Sequence, residues 1–253
     1  MRINARRVLI GLPIAGVAGA VLVPLALYFV GLAVGPPLPT PATTTLPPLL
    51  ADAIWARADG GSATALTPIT HLSMARFAAC VAIEDFNDRT PGDAQRVANC
   101  RAYMPALMGI EYLTGTHMRD ANLRTSFGEG LARFSTTVWI THSWTKADFL
   151  NTVAERGEFG TGVRGAETAS RHYFARNPAE LTLPQAALLA SFIGEWRTDF
   201  DPWCGPAGAV ALRSRVLQRM WDNNAIDEAA FKAANPSPLA LGPPPPDHKR
   251  CAE

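Results

Sequence analysis

Residues 143–174 read SWTKADFLNTVAERGEFGTGVRGAETASRHYF, and the fold turns on six of them, GTGVRG at 160–165. Those six spell G-x-G-x-x-G, the phosphate-cradling fingerprint of dinucleotide-binding proteins. The fingerprint works only with a hydrophobic strand before its first glycine and a helix after its last. Here the preceding segment carries the marks of a helix instead. Thr145 stands as an N-cap, Trp144 and Phe149 flank it as a hydrophobic staple, and Asp148 suits the positive end of the helix dipole. The helix continues through Leu150 and Val153 and should stop at Gly157. No strand–helix alternation occurs elsewhere in the chain. The glycines are therefore expected to form a helix–helix connection, where they permit positive φ and close packing.

Working outward, the pattern stays helical. Phe77, Cys80, Val81 and Glu84 share one helical face within residues 70–86. A second apolar helical pattern covers 128–142, and a helix of about 165–175 follows the glycines. Thr182-x-x-Gln185 is a capping box that opens a run, Ala186 to Ile193, apolar on every side as a buried central helix would be. One or two more helices lie in 205–234, broken at Asn223-Asn224. Residues 93–127 have no readable pattern.

The ends of the chain differ from this body. Arg2, Arg6 and Arg7 precede an uncharged apolar run from Val8 to Val34. As a helix that run would be about 40 Å long, against a hydrocarbon core of roughly 30 Å. It exceeds the core of a signal peptide, and its basic flank should stay in the cytoplasm. A retained anchor is favoured over a cleaved signal. The expected organisation is a cytoplasmic tip and transmembrane helix at 1–35, a proline-rich linker at 36–48, one domain at 49–234 and a proline-rich tail at 235–253. The linker should be an extended spacer, since proline has no N–H to give a helix. A net charge of +1 without a basic stripe argues against nucleic acid. Four cysteines on the outer side favour disulfides, with Cys80–Cys100 and Cys204–Cys251 the preferred pairing and no C-x-x-C to suggest zinc.

Residues 143–190 carry a longer pattern: Lys146, Phe149-Leu150, Arg156, Phe159-Gly160, Gly162, Gly165, Ala169, Tyr173-Phe174, Leu181-Thr182-Leu183 and Ala186 to Ala190. In order and spacing this resembles the family 51 glycosyltransferases, the peptidoglycan glycosyltransferase domains of penicillin-binding proteins. The resemblance implies an all-α, lysozyme-like domain with a large lobe, a smaller membrane-apposed lobe and a cleft between them. It implies a single-pass protein of the cytoplasmic membrane, its domain on the periplasmic or extracellular side, polymerising lipid-linked peptidoglycan precursor; the length of the chain leads us to expect a monofunctional protein, since a transpeptidase domain would need a few hundred further residues. It also implies Glu84 as general base, with Asp85 beside it, from the first motif. Lys146, Arg156, Arg164 and Arg133 become candidates to meet the leaving pyrophosphate, arginine being suited by its planar fork. A divalent cation is allowed by the resemblance, but no metal ligands are assigned. Other cell-wall synthesis proteins would be partners.

The chain departs from the family at its second motif, where only YLTGTHMRD stands at 112–120, and at its third. There Glu129 and Arg133 occupy the outer positions, in exchanged order, as either a compensated site with Glu129 catalytic or an i,i+4 surface pair. Glu155 and Gln185 replace the asparagine and glutamate of the fourth and fifth motifs. Glu84 itself is either a base in a cleft or a salt-bridged carboxylate at a helix end. Three functions stay open: a divergent polymerising enzyme, a catalytically impaired relative that binds precursor or a partner and regulates, and a lysozyme-like glycan hydrolase.

Overall fold

The computed structural model describes residues 22–70, 73, 74, 76, 77, 80, 100–114, 117, 126–160, 162–194 and 201–244. Among these residues the architecture is helical, and the only β pairing is two isolated bridges. In chain order the helices are α1 over residues 22–34, α2 at Pro48–Arg57, α3 at Met104–Met108 and α4 at Ser126–Ser143. They continue with α5 at Lys146–Arg156, α6 at Ala166–Phe174, α7 at Leu183–Ser191, α8 at Pro206–Asp222 and α9 at Glu228–Ala234. A π-helical turn, Gly109–Thr114, follows α3.

Local sequence explains most boundaries. Thr145 caps α5 by accepting from the Asp148 amide (3.1 Å), while the Asp148 carboxylate accepts from the Thr145 amide (2.9 Å). Each cap satisfies amides that the first helical turn cannot pair internally. Trp144 and Phe149 are both buried in the main core. Gly157 ends the helix, its amide donating to the Val153 carbonyl at 2.7 Å. Thr182 and Gln185 form the reciprocal box that starts α7, and Asn224, at φ 58°, breaks the chain between α8 and α9.

Two hydrophobic clusters organise the packing. The larger surrounds α7, whose Ala186, Ala187, Leu188, Leu189 and Ala190 are all fully buried, sandwiched between α2 and α8. The smaller contains Ile69, Met74, Phe77, Cys80, Cys100, Tyr103, Ala106 and Val138, with Tyr28 of α1 and Phe134 of α4 packed against it. The Cys80–Cys100 disulfide lies inside this second cluster. Cys204 is also disulfide-bonded; Cys251, the partner expected for it, lies outside the described residues.

Two segments behave differently from a simple spacer and tail. Residues 36–47 are extended, and helix begins only at Pro48, where proline's missing N–H costs nothing. Yet the stretch is fastened along α5. The Ala42 amide donates to Thr152 Oγ1 (2.9 Å), Thr44 Oγ1 to Glu155 (2.5 Å) and the Leu46 amide to Asn151 Oδ1 (3.1 Å). The tail is likewise docked. Gly242 donates to the Tyr173 carbonyl (2.8 Å), and Gln185 Nε2 donates to the Ala240 carbonyl (3.2 Å). The buried Arg213 guanidinium reaches the carbonyls of Asn235 and Ser237, both at 2.7 Å.

Candidate functional site

The glycine turn is a tight antiparallel loop between α5 and α6. Glu158 bridges to Arg164 across it, and Phe159 bridges to Ile193 at the end of α7. Gly160, Gly162 and Gly165 have φ of 96°, 77° and 85°, values that side chains rarely tolerate. A Cβ on Gly160 would run into the Tyr173 hydroxyl, and one on Gly165 would stand 3.0 Å from the Glu155 carbonyl. Among the described residues no strand precedes the turn and no sheet lies behind it, so the dinucleotide reading has no structural support. The Tyr173 hydroxyl donates to the Phe159 carbonyl at 2.9 Å. Burial, with Asp201 adding to it, pushes that hydroxyl's pKa well above the ordinary tyrosine value.

This turn forms one wall of a cavity of about 520 Å³. Its other walls are Thr44–Pro47, the second half of α5 and the turn at Asn177–Glu180. Arg164 lines it and donates through Nε to the Arg156 carbonyl at 3.2 Å. Arg156 pairs with Glu155 at 3.5 Å. The Arg164 side chain thus reaches the Arg156 backbone at the end of α5, while the Arg156 guanidinium is paired with Glu155. The first turn of α6 also lines the cavity, but its positive end already has the carboxylate of Glu167, which is paired with Arg171 at 2.7 Å.

Lys146 is not gathered with those arginines. It opens α5 whereas Arg156 closes it, about 15 Å apart along the axis. Its ammonium sits 4.2 Å over the Trp55 ring and donates to the Ala63 carbonyl at 3.4 Å. Burial lowers the pKa of this lysine, opposed by the nearby Asp52 carboxylate. Trp55 and Asp52 belong to α2, which the sequence pattern did not single out: its ten residues directly follow a proline run and carry no cap signal.

Glu84 and Asp85 lie outside the described residues. Phe77 and Cys80, on the same expected stripe, are buried beside Val138 and Phe134 of α4. That helix carries Glu129, whose Oε1 is 4.0 Å from Arg133 Nη1, both side chains partly exposed. Phe77 and Cys80, which precede Glu84 in sequence, therefore share one core with the helix that bears Glu129. His117, at the degenerate second motif, is within 2.8 Å of the Pro37 carbonyl, tying that region to the extended stretch. Gln185 completes its capping box and holds the tail, a structural use of the fifth-motif position. Among the described residues no three His, Cys, Asp or Glu side chains come together to hold a metal ion.

With this geometry in place, comparison with known proteins finds a match to the family described as transglycosylase over residues 116–221, from the second-motif region to the end of α8. The chain is thus similar to transglycosylases over residues 116–221. The chain is similar to the biosynthetic peptidoglycan transglycosylase of Shewanella oneidensis, 36% identical over 93 residues, covering 36% of this chain and 38% of the relative. The corresponding protein of Aeromonas hydrophila is 37% identical over 84 residues, covering 33% and 34%. Penicillin-binding protein 1A of Rickettsia felis is 29% identical over 102 residues, 40% of this chain and 13% of that one. The match thus spans less than two-fifths of the length of these curated relatives.

Proposed function

We propose that this protein is a membrane-anchored peptidoglycan glycosyltransferase with a lysozyme-like, two-lobed domain that polymerises lipid-linked precursor on the outer side of the cytoplasmic membrane. The observation that carries the reading is the shared second core. It packs Phe77 and Cys80, which precede the first motif in sequence, against the α4 helix that bears Glu129, and α4 lies within the transglycosylase match.

In the reaction, Glu84 takes the proton of the acceptor sugar's 4-hydroxyl as that oxygen attacks the anomeric carbon of the donor. The bond from that carbon to the pyrophosphate oxygen breaks, and undecaprenyl pyrophosphate leaves with the electron pair. A carboxylate in a desolvated cleft has the raised pKa that a base for this step needs. Arg164, which lines the cavity, and Arg156, at the end of α5, are the cations to meet a phosphate; Lys146 would act separately.

A second reading is favoured by one observation. At the third motif the carboxylate of Glu129 is already engaged by Arg133, as in a relative that binds precursor and regulates without polymerising. Labelled lipid-linked precursor, incubated with the full chain in detergent or vesicles, distinguishes the two. Polymer that disappears in Glu84→Gln supports the enzyme. Saturable binding without polymer supports the regulatory reading and refutes the first. Cleavage of finished glycan instead would make the protein a hydrolase.

A further inference from the structure

A second cavity, of about 200 Å³, lies apart from the one beside the glycine turn, where the loop after α2, the first turn of α5 and the end of α8 converge. Asp52, Trp55, Ser62, Thr64, Lys146 and Asn223 line it. The loop is folded tightly over the indole of Trp55. Trp55 Nε1 donates to the Gly61 carbonyl at 3.1 Å, and a Cβ on Gly60 would collide with the ring. The ring is thereby fixed, and Lys146 Nζ is held 4.2 Å from its centre. One N–H of that ammonium makes a long bond, 3.4 Å, to the Ala63 carbonyl; an ammonium carries three donors. Asp52 is near enough to favour the charged lysine, but the two make no ion pair among the described residues. Opposite charges therefore face the cavity without neutralising each other. At the end of α8, the Asn223 backbone amide donates to the Arg219 carbonyl (3.0 Å), while its side-chain Nδ2 is enclosed with no hydrogen-bond partner. An enclosed donor of this kind calls for an acceptor.

We propose that this cavity binds a small α-amino acid as its zwitterion, the carboxylate accepting from Lys146 Nζ and Asn223 Nδ2 and the ammonium meeting the Asp52 carboxylate. Charge selects this class. A phosphate or other plain anion would suit Lys146 but be repelled by Asp52, and a plain cation would meet the reverse. A molecule that carries both charges a few ångströms apart satisfies each. Size selects it as well. A volume of 200 Å³ is the liquid share of about seven waters. That suits a molecule the size of alanine or serine, and excludes a disaccharide or a lipid pyrophosphate. The inference goes beyond the proposed function and does not rest on it. Lys146 opens α5 and Arg156 closes it, so this cavity and the arginines lie at opposite ends of the helix. Lys146 thereby gains a ligand other than the donor pyrophosphate.

Titration calorimetry of the full chain in detergent tests this, with L-alanine, D-alanine and L-serine as probes and no precursor present. The expected result is saturable binding of at least one probe, one molecule per chain, with a Kd of about 1 mM or tighter, which six or seven heavy atoms can supply. The amide and the N-acetyl derivative of the probe that binds each lack one of its two charges. Each should bind at least about tenfold more weakly, the worth of one charge-assisted hydrogen bond. Lys146→Met, which keeps an apolar stem over Trp55, and Asp52→Asn should each weaken binding by a similar factor. So should Asn223→Asp, which keeps the shape but exchanges the donor for a carboxylate. Far-UV circular dichroism and melting temperature show that each variant is folded. Absence of binding by all three probes overturns the site. Binding that none of the three substitutions weakens lies elsewhere on the protein and also overturns it. Equal binding of the N-acetyl derivative, or an unchanged Kd in Asp52→Asn, overturns the zwitterion in favour of a simple anion site, which inorganic phosphate as titrant would then fill. None of these readouts depends on polymerisation, so failure of this inference and failure of the proposed function are told apart.

Discussion

Gly160 offers the sharpest test of why the 160–165 turn has the form it has. In Gly160→Ala two costs arise. A side chain at φ 96° is strained by about 1–3 kcal/mol. The new Cβ also displaces the Tyr173 hydroxyl, so the buried Phe159 carbonyl loses its donor, a further cost of about 1–3 kcal/mol. The backbone has little room to escape. Phe159 donates to the Val163 carbonyl (2.8 Å), Val163 to Gly160 (3.2 Å) and Gly194 to Glu158 (3.0 Å). A total near 3–4 kcal/mol is expected. Gly162→Ala is the control, because its φ is 77° but nothing lies within 4 Å of an added Cβ; it should cost only about 1–2 kcal/mol. Tyr173→Phe alone should cost about 1–2 kcal/mol. Combined with Gly160→Ala it should add little, since the same hydrogen bond is already lost, giving a coupling of about 1–2 kcal/mol. Urea unfolding of the detergent-solubilised chain, followed by far-UV circular dichroism, measures all four. Equal losses for the two alanine variants, or strict additivity with Tyr173→Phe, would refute the proposed clash.

Two further outcomes follow from buried groups. Tyr173 has a raised pKa, so the folded state keeps a proton that the unfolded state releases near pH 10. Stability is unaffected below that pH and should fall as pH rises above it; Tyr173→Phe should flatten that alkaline decline, read by thermal unfolding between pH 9 and 11. Arg213→Met removes a buried guanidinium from the carbonyls of Asn235 and Ser237, leaving them without donors. A loss of about 1–3 kcal/mol is expected, with faster proteolysis confined to the segment after Ala234; unchanged tail protection would show that the tail is held by other contacts.

The legibility of the fold varied with the range of the interaction. The Thr145 and Thr182 caps, the stop at Gly157 and the break at Asn224 were readable because each is set by residues within four positions. The glycine turn was readable for the same reason, since positive φ demands glycine wherever the chain reverses so tightly. The candidate site was only partly readable. That the Arg164 side chain reaches the Arg156 backbone follows from a short loop, but Lys146, grouped with them by sign of charge, is taken by Trp55 and Asp52 of a helix nearly a hundred residues earlier. At Glu129 and Arg133, the spacing alone shows that the two can pair.

Sequence alone determined that this is a helical protein with a stretch similar to transglycosylases, because caps, apolar periodicity and glycine spacing are local properties. Tertiary structure alone decided that the linker and the tail belong to the body. Their attachment depends on single hydrogen bonds between extended backbone and side chains such as Thr152, Asn151 and Arg213. Such bonds join distant positions without any periodic trace, so only the folded arrangement reveals them.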